Sequence, residues 1–498
     1  MDGPSQIYVT APDWALFTGP TSEPHFLAPP APGTTPSAPP VHIPDHVYQA
    51  ALDPVVPITI AAVYAVTAKL LNVYNTSTNK KPWGISKTGV FHAFVVAHNI
   101  FLAVYSAWTF LGMVGVMRRS VVSPFSPNGG LSAFVDSMTR LHGPAGLGNA
   151  VYYDQSQSKW ASYSDAVALA SDGTPSRTDL GRIWNEGLAF YGWIFYLSKF
   201  YEVLDTFIIL AKGRLSSTLQ TYHHAGAMMC MWAGMRYMSP PIWMFVFVNS
   251  GIHAMMYTYY TLSAFSIRVP VVVKRTLTSL QITQFLVGAS YAMIHSFVNY
   301  TVPVATTVHK TTAAATAAVS GSSEAAEVAA SASNAAFFDS VKQLVLGVAS
   351  KVANAAAATS IEASDSASLD ANAAAHQSVP VSTSVQETIY HDEVVPCINT
   401  SGQTFAIWLN VLYLAPLTYL FVKFFITSYL RRAGAESARK DRARRESQVA
   451  VAEKAGWDAA QGLQAEVYGT PDERRSVSKQ STTTPPPAPR PAQRSRHA

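Results

Sequence analysis

The feature that most constrains this 498-residue sequence is a series of seven apolar stretches with few charged side chains. A helix rising 1.5 Å per residue needs about 20 such residues to cross a hydrocarbon core about 30 Å thick. Lipid offers peptide groups no hydrogen bonds, so a crossing segment must satisfy them internally, and these runs lack the alternation of barrel strands. The stretches therefore predict transmembrane helices at 54–74, 90–117, 184–211, 218–238, 242–264, 276–299 and 404–430.

The composition supports this interpretation. Hydrophobic residues make up 49% of the chain and charged residues only 13%, which is too apolar for an ordinary water-soluble protein of this length. The predicted fold class is an all-α membrane protein with seven transmembrane helices. Two cysteines, Cys230 and Cys397, are too few for a disulfide framework.

Basic residues favour one orientation in the membrane. From Arg431 onward the chain has 14 basic and 8 acidic residues, and basic flanks stay on the cytosolic side. With seven crossings, the C-terminus is then cytosolic and the N-terminus lumenal. Arg118 and Arg119, at the end of the second span, would face the lumen and oppose the rule. The basic run from Arg431 to Arg445 has no interleaved aromatic residues, so nucleic-acid binding is not expected.

The segments outside the spans divide the chain into parts. Residues 1–53 are rich in Pro, Thr and Ala, and residues 303–396 are a low-complexity insert of Ala, Ser, Thr and Val. Both are predicted to be lumenal and largely disordered, because they offer little apolar surface to a core. The membrane domain is predicted at 54–302, its seventh helix at 397–432, and a disordered basic cytosolic tail at 433–498.

Short motifs bear on location and modification. Glycosylation sequons stand at Asn75, Asn299 and Asn399. Only the latter two face the lumen in this topology, and Asn399 is the candidate because Asn299 lies close to the bilayer. Arg494 and Arg496 near the C-terminus resemble retrieval signals of endoplasmic-reticulum membrane proteins, which predicts a multi-pass protein of that membrane.

Ionisable side chains inside the predicted spans indicate a functional site, because each costs about 2.5–3.5 kcal/mol to insert. The polar residues recur at helical spacing in neighbouring spans: Lys199, Glu202, Asp205 and Thr206; Gln220, His223 and His224; Asn249, His253, Tyr257 and Tyr260; Gln281 and Gln284. An internal ion-pair set is the alternative interpretation of Lys199 with its two carboxylates. Three imidazoles beside acids, however, are difficult to explain as packing.

The residue types suit acyl transfer. Imidazole, with an unperturbed pKa near 6.5, can act as a nucleophile or a proton carrier at cellular pH. Carboxylates can orient the rings, while amides and tyrosines can hold a thioester oxygen as negative charge develops on it. A buried chamber would keep reactive intermediates away from water.

The motifs resemble those of the eukaryotic very-long-chain and polyunsaturated fatty-acid elongases, over about residues 55–300 and 400–432. The match comprises KxxExxDT at 199–206, NxxxHxxMYxYY at 249–260 (with Met256), TxxQxxQ at 278–284, the HN pair His98–Asn99 and the closing Ser428–Tyr429. The histidine box departs from the usual HxxHH, because Gln220 stands in its first position. Glutamine cannot titrate, and the pattern is similar to the QxxHH variant of elongases for polyunsaturated substrates.

The resemblance implies a helical barrel around a buried acyl chamber and the condensing step of microsomal fatty-acid elongation. In that reaction an acyl-CoA acylates a histidine, malonyl-CoA loses carbon dioxide, and its enolate attacks the acyl group to give a 3-ketoacyl-CoA longer by two carbons. The implied activity is that of an acyltransferase, a very-long-chain 3-oxoacyl-CoA synthase. Acyl-CoA and malonyl-CoA are its substrates, and no bound cofactor or metal is implied.

The resemblance also assigns roles to residues. His223 is expected to receive the acyl group, His253 to face it as a second acylation or acid/base site, and His224 to orient groups or relay protons. The expected chamber residues are Lys199, Glu202, Asp205, Thr206, Gln220, Asn249, Met256, Tyr257, Tyr260, Gln281, Gln284, His98 and Asn99. Lys212, Lys274 and Arg275 are expected to hold the CoA phosphates at the cytosolic mouth.

Two other classes compete with this interpretation. A di-iron membrane desaturase or hydroxylase uses about eight histidines in three boxes, more than the spans supply, and a seven-helix receptor or transporter would use the charges as a ligand or proton pathway. The implied partners are membrane lipid and the ketoreductase, dehydratase and enoyl reductase of the elongation cycle, without nucleic acid. The preferences for acyl chain length and unsaturation are left open, as is the oligomeric state, for which a homodimer is one possibility.

Overall fold

The computed structural model describes residues 6–127, 129–311 and 384–437, with the backbone alone at 271, 274, 275, 307–311, 384–388 and 424–437. The chain divides into two compact units, residues 1–306 with 389–498 and residues 307–388. The described part of the second unit is backbone at 307–311 and 384–388. All side-chain geometry given below belongs to the first unit.

Helices dominate the described residues. They are α1 (Asp45–Ala51), α2 (Val55–Ser77), α3 (Gly89–Ser120), α4 (Gly130–Thr139), α5 (Ala189–Tyr201), α6 (Leu204–Ala211), α7 (Thr218–Arg236), α8 (Ile242–Ala264), α9 (Val271–Ile294) and α10 (Ser401–Ser437). The strands are β1 (Ile7–Val9), β2 (Val151–Asp154), β3 (Lys159–Ser162), β4 (Val298–Thr311) and β5 (Ser384–Pro396). Short 3₁₀ turns lie at Trp14–Leu16 and Gly84–Lys87, and a π-helical turn at Trp184–Leu188.

A helix occupies each of the seven stretches predicted to cross the membrane, with the third divided between α5 and α6. Among the described residues, three helical segments are long and apolar enough to span a bilayer, namely Val55–Ser77, Gly89–Ser120 and Ser401–Lys423. The predominantly helical fold with membrane-spanning candidates is thus confirmed. The count of seven crossings and the helical barrel stay predictions.

The outer face of α2 has the character of a surface that contacts lipid. Val63, Val66, Leu70 and Val73 recur at helical spacing, and each is about 60% exposed. A contiguous apolar stripe of this kind marks a membrane or protein contact. On the inner side of the same helix, Tyr64 is buried.

The third predicted span is not one continuous helix. It starts with the π-helical turn, in which Gly187 has a φ of 137° that disfavours residues with a Cβ. α5 then ends at Tyr201, and α6 begins at Leu204. At the break, the amide of Asp205 donates to the carbonyl of Glu202 at 3.1 Å, a tight i to i+3 bond. Residues before and after the break consequently contact different helices.

Four segments form a cap over the end of the helical bundle where α3, α7 and α9 terminate: residues 6–53, 121–183, 298–306 and 389–400. The disorder predicted for residues 1–53 is wrong for 6–53. Tyr48 and Leu52 are fully buried, the Trp184 indole donates to the Leu27 carbonyl at 3.0 Å, and the Tyr48 hydroxyl donates to the Ala189 carbonyl at 3.0 Å. Buried donors need such acceptors, and the extension's backbone supplies some of them.

The ends of the predicted insert are also ordered. β1, β4 and β5 form one sheet in that order, with Ile7 opposite Tyr300 and Val9 opposite Val298 in the antiparallel β1–β4 pair. The disorder predicted over 303–396 is therefore wrong for 303–311 and 384–396, whereas residues 312–383 lie outside the described residues. α10 continues beyond the predicted boundary at 432 to Ser437, and the rest of the tail at 438–498 is likewise outside.

Arg118 and Arg119 oppose the positive-inside rule in the predicted orientation, and Arg119 is paired with a carboxylate. Arg119 Nε lies 2.5 Å from Glu186 Oε2, and Nη2 donates to the Glu186 carbonyl at 2.8 Å. Ser37 of the cap donates to the same carboxylate. The Glu186 side chain is only 5% exposed, and a buried carboxylate requires a partner of this kind. Arg119 thus has a local structural role that is independent of membrane orientation.

Candidate active site

The amino end of α7 positions the two adjacent histidines. The Ser217 hydroxyl caps this helix by accepting from the backbone N–H of Gln220 at 3.2 Å. Serine favours this arrangement immediately before the first turn of a helix. Gln220 itself is half-buried in that turn. His224 is buried and packs edge-on against the Tyr64 ring of α2, with 6.0 Å between ring centroids.

His223 points instead toward α10. Its Nδ1 lies 3.0 Å from the Tyr413 hydroxyl, and that hydroxyl donates to the backbone carbonyl of His223 at 2.9 Å. Phe285 of α9 lies edge-on to the imidazole, with 6.3 Å between centroids. The imidazole is therefore held by side chains of two helices that are distant in the sequence.

A narrow cavity of about 50 Å³ lies beside His223, between α5, α7, α8, α9 and α10. Its polar lining residues are Lys199, His223, Asn249, Gln284, Asn410 and Tyr413. The remaining wall is apolar and includes Phe195, Met231 and Leu414. Small-molecule sites combine a mostly apolar wall with a few placed polar groups, and this cavity has that character.

A chain of hydrogen bonds runs along the polar side of this cavity. Lys199 Nζ donates to Glu202 Oε1 at 2.7 Å and to Asn249 Oδ1 at 3.2 Å. Asn249 Nδ2 donates to Gln284 Oε1 at 3.2 Å. The Lys199 and Glu202 side chains are 4% and 3% exposed. They therefore form a buried ion pair, which was the alternative interpretation of Lys199 from the sequence. The pair also contributes directly to the cavity, because Lys199 lines it.

His253 lies behind this ion pair. Its Nδ1 is 3.5 Å from Glu202 Oε1, too long for a full hydrogen bond, and the histidine is not among the cavity-lining residues. The His223 and His224 rings are neighbours, with 5.4 Å between centroids, and all three imidazoles lie near the Glu202 carboxylate. The structure thus brings the three predicted imidazoles into one neighbourhood and places His223 alone of them on the cavity wall.

Asp205 belongs to a separate polar cluster. Its two carboxylate oxygens contact His98 Nε2 of α3 at 2.8 Å and the Tyr257 hydroxyl of α8 at 2.6 Å. Thr206 bonds to the Tyr64 hydroxyl at 2.8 Å. Although these motif residues recur at the spacing of one helix, the break after Tyr201 separates Lys199 from Asp205, and the two side chains have different neighbours.

The other predicted chamber residues lie near these two clusters. Asn99 is fully buried next to His98, Gln281 Nε2 contacts Met256 Sδ at 3.3 Å, and Tyr260 lies edge-on to Tyr257 at 6.0 Å. None of these four lines the cavity beside His223. They pack around the ends of α8 and α9 that lead away from the cap.

The proposed CoA residues and the sequon occupy other places. Lys212 is half-buried in the turn after α6, whereas the side chains of Lys274 and Arg275 lie outside the described residues, as do those of Ser428 and Tyr429. Asn399 is half-buried in the cap, where its amide oxygen accepts from Arg140. Its glycosylation stays a prediction.

Motif reading missed Tyr413 and Asn410, because α10 carries only an apolar pattern before its terminal Ser428–Tyr429. The available signal was an asparagine and a tyrosine three residues apart in the mostly apolar middle of this helix. Among the described residues, no group of three His, Cys, Asp or Glu side chains is arranged to hold a metal ion.

The fold and the site define the class of this protein. It is predominantly helical, with candidate membrane-spanning helices and a histidine-lined cavity between its helices. A sequence model described as ELO, the GNS1/SUR4 family, matches residues 49–437. The chain belongs to this family. The resemblance to fatty-acid elongases predicted from the motifs is therefore confirmed.

Individual relatives match over shorter lengths. Very long chain fatty acid elongase 3 of Homo sapiens is 37% identical over 110 residues, covering 22% of this chain and 41% of that protein. Fatty acid elongase 2 of Trypanosoma brucei brucei is 29% identical over 123 residues, covering 24% and 45%. Long chain fatty acid elongase 1 of Caenorhabditis elegans is 33% identical over 102 residues, covering 20% and 35%. Each alignment spans less than half of the relative, and no solved structure gives a significant match.

Proposed function

We propose that this protein is the condensing enzyme of fatty-acid elongation, a very-long-chain 3-oxoacyl-CoA synthase that works through a covalent acyl-histidine. It joins malonyl-CoA to a long-chain acyl-CoA and releases carbon dioxide and CoA. The observation that carries the proposal is the position of His223 on the wall of a cavity with Lys199, Asn249 and Gln284 on its polar side. The polar side suits a thioester, and the apolar wall suits an alkyl chain.

In the first half-reaction, a ring nitrogen of His223 attacks the thioester carbonyl of the acyl-CoA. The carbon–sulfur bond breaks, and CoA leaves as the thiolate. Histidine is an established type of covalent nucleophile. The oxygen that becomes negative during addition can be stabilised by the Lys199 ammonium and by the amide groups of Asn249 and Gln284.

In the second half-reaction, malonyl-CoA loses its carboxylate as carbon dioxide, and the resulting enolate carbon attacks the acyl group on His223. The carbon–nitrogen bond then breaks and the imidazole is restored. His253, beside Glu202, serves as a second acylation or acid/base site, and His224 orients groups or relays protons. Lys212, Lys274 and Arg275 hold the CoA phosphates. The proposal includes no resident cofactor or metal.

The cellular setting follows from the same proposal. The protein crosses the endoplasmic-reticulum membrane seven times, with a lumenal N-terminus and a cytosolic C-terminus, and its helices enclose the acyl chamber as a barrel. Its 3-ketoacyl-CoA product requires reduction, dehydration and a second reduction, which the ketoreductase, dehydratase and enoyl reductase of the cycle supply. The QxxHH box at Gln220 favours polyunsaturated acyl substrates.

The test is incorporation of labelled malonyl-CoA into 3-ketoacyl-CoA by microsomes from a host without its own elongases. His223→Ala should abolish incorporation while leaving the amount of protein unchanged. The matched control is His92→Ala, which removes an imidazole that is exposed on α3 and should retain activity. Full activity of His223→Ala, or no condensation by the unaltered protein with any acyl-CoA of a defined panel, would overturn the proposal.

A further inference from the structure

Tyr413 makes two hydrogen-bond contacts with the same histidine residue. Its hydroxyl lies 2.9 Å from the backbone carbonyl oxygen of His223 and 3.0 Å from Nδ1 of the imidazole. A tyrosine hydroxyl has one hydrogen to donate, and a carbonyl oxygen can only accept. The hydrogen must therefore point to the carbonyl, and the hydroxyl oxygen must accept at the ring.

This assignment fixes the position of the imidazole proton. Because the Tyr413 oxygen accepts at the ring, Nδ1 must carry a hydrogen. A neutral imidazole has one N–H, so Nε2 carries the lone pair. The partner of one ring nitrogen thereby determines the chemistry available at the other, as in serine-protease triads, where an aspartate holds the catalytic histidine in its working tautomer.

The tyrosine ring is locked in position. Tyr413 is 8% exposed and lines the cavity together with His223. Its ring lies directly against Gly226, one helical turn after His223, where an added Cβ would come within 2.1 Å of Tyr413 Cε2. On the other side of the contact, the Tyr222 hydroxyl donates to the Tyr413 backbone carbonyl at 3.3 Å. Close approach of α10 to α7 thus depends on the absence of a side chain at position 226.

We propose that Tyr413 is a positioning residue that holds His223 in the Nδ1–H tautomer, with Nε2 as the nucleophile toward the acyl thioester. This inference rests on the proposed function. Attack by Nε2 forms a carbon–nitrogen bond, expels the CoA thiolate and leaves an acyl-imidazolium whose Nδ1–H still donates to Tyr413. The malonyl-derived enolate later takes the acyl group, and the Nε2–carbon electron pair returns to Nε2.

The proton balance closes without any transfer at the histidine. The cation formed on acylation is neutralised when the anionic enolate attacks, and the thiolate takes its proton from solvent. The Nδ1 proton stays in place throughout, so the donor to Tyr413 is the same in every state. The cationic intermediate is also a better acyl donor than a neutral acylimidazole, because its leaving group is a neutral ring.

The test compares Tyr413→Phe with Tyr419→Phe, which removes a hydroxyl from an exposed tyrosine of the same helix. Purified protein is mixed with labelled acyl-CoA in the absence of malonyl-CoA, and the rate of His223 acylation is measured. Tyr413→Phe should slow acylation about tenfold or more, the order expected when a partner that orients a histidine is lost, with KM for acyl-CoA little changed. Tyr419→Phe should acylate at the normal rate.

A spectroscopic measurement separates positioning from a general loss of structure. In ¹⁵N-histidine-labelled protein, with the His223 signals assigned by their loss in His223→Ala, Nδ1 should be protonated and Nε2 unprotonated, and Tyr413→Phe should shift this distribution. A proton on Nε2 in the unaltered protein, or equal acylation by the two phenylalanine variants, would overturn the inference while leaving the acyl-histidine mechanism intact. An active His223→Ala would instead overturn the proposed function itself.

Discussion

Asp205 connects three helices through one carboxylate. One oxygen contacts His98 on α3 and the other accepts from Tyr257 on α8, whereas Asp205 itself lies on α6. Both partners are almost completely buried, at 2% and 0% exposure. A buried donor that loses its acceptor costs about 1–3 kcal/mol. This residue therefore contributes to stability through contacts that are separate from the cavity beside His223.

Replacing Asp205 with Asn should lower the thermal midpoint in detergent by several degrees, since an amide offers one acceptor oxygen where the carboxylate offers two. The control is Asp45→Asn, which weakens only an exposed ion pair with Arg177, a kind of pair that is worth less than about 1 kcal/mol. An Asp205→Asn protein as stable as this control would show that the two hydrogen bonds contribute little to the fold.

At the scale of single residues, motif spacing named several of the residues that line the candidate cavity. It found His223, Lys199, Asn249 and Gln284, which share the cavity, and it grouped His98, Asp205 and Tyr257 among the chamber residues. It could not show that Lys199 and Asp205 have different neighbours, because an ideal helical period does not contain the break between Tyr201 and Leu204. Tyr413 lies 190 positions from His223, and no local pattern connects residues so far apart.

Among the helical elements, the contact of α7 with α10 depends on small residues. Gly226 accepts the Tyr413 ring, and at the other end of the pair Gly402 of α10 accepts the Tyr237 ring, with an added Cβ only 2.3 Å from Tyr237 Cδ1. Small residues allow helix backbones to approach closely in membranes. At each of these two contacts, a glycine of one helix accepts a tyrosine ring from the other side, and these contacts set the spacing between the helices.

Gly226→Ala should destabilise the protein by about 1–3 kcal/mol, the usual cost of overpacking, and should reduce His223 acylation as Tyr413→Phe does, because the Tyr413 ring must move. Gly89→Ala at the start of α3 is the control, since a Cβ there meets nothing within 4 Å. Thermal stability and single-turnover acylation measure the two effects. Normal acylation by Gly226→Ala would argue that the α7–α10 spacing does not position the histidine.

Helices were the most predictable elements, because a uniformly apolar run of sufficient length has few other structures available in lipid. The cap was less predictable. Its proline-rich N-terminal extension contacts the bundle through backbone groups as well as buried side chains, for example through the Pro24 carbonyl that accepts from Arg236 at 3.0 Å. Every sequence has backbone acceptors, so composition gives no sign of contacts that use them. The composition therefore suggested disorder for residues that are packed against the bundle.

Across the whole molecule, the cap contains a histidine with a strongly altered acidity. His142 lies between the Trp160 and Trp184 rings, with ring centroids 5.3 and 5.4 Å away. Burial, together with the nearby Arg182 guanidinium, lowers the pKa of His142 from 6.5 to about 3. In the folded protein this imidazole is therefore neutral at cellular pH, whereas the unfolded chain takes up a proton below about pH 6.5.

The direction of the pH effect follows from this difference. Above pH 6.5 neither state is protonated at His142, and as pH falls toward 3 the unfolded state is favoured by up to about 1.4 kcal/mol per unit. The thermal midpoint should thus fall between pH 7 and pH 5, and His142→Phe should reduce that fall. An identical pH dependence in the two proteins would show that other groups determine the acid sensitivity of the cap.

The proposal depends most on a covalent bond between His223 and the acyl group. The most direct measurement is to incubate the purified protein with labelled acyl-CoA alone, digest it, locate the label by mass spectrometry and then add malonyl-CoA. We predict label on His223 and its release as 3-ketoacyl-CoA. No adduct, or an adduct elsewhere that yields the same product when His223 is replaced by Ala, would contradict the account.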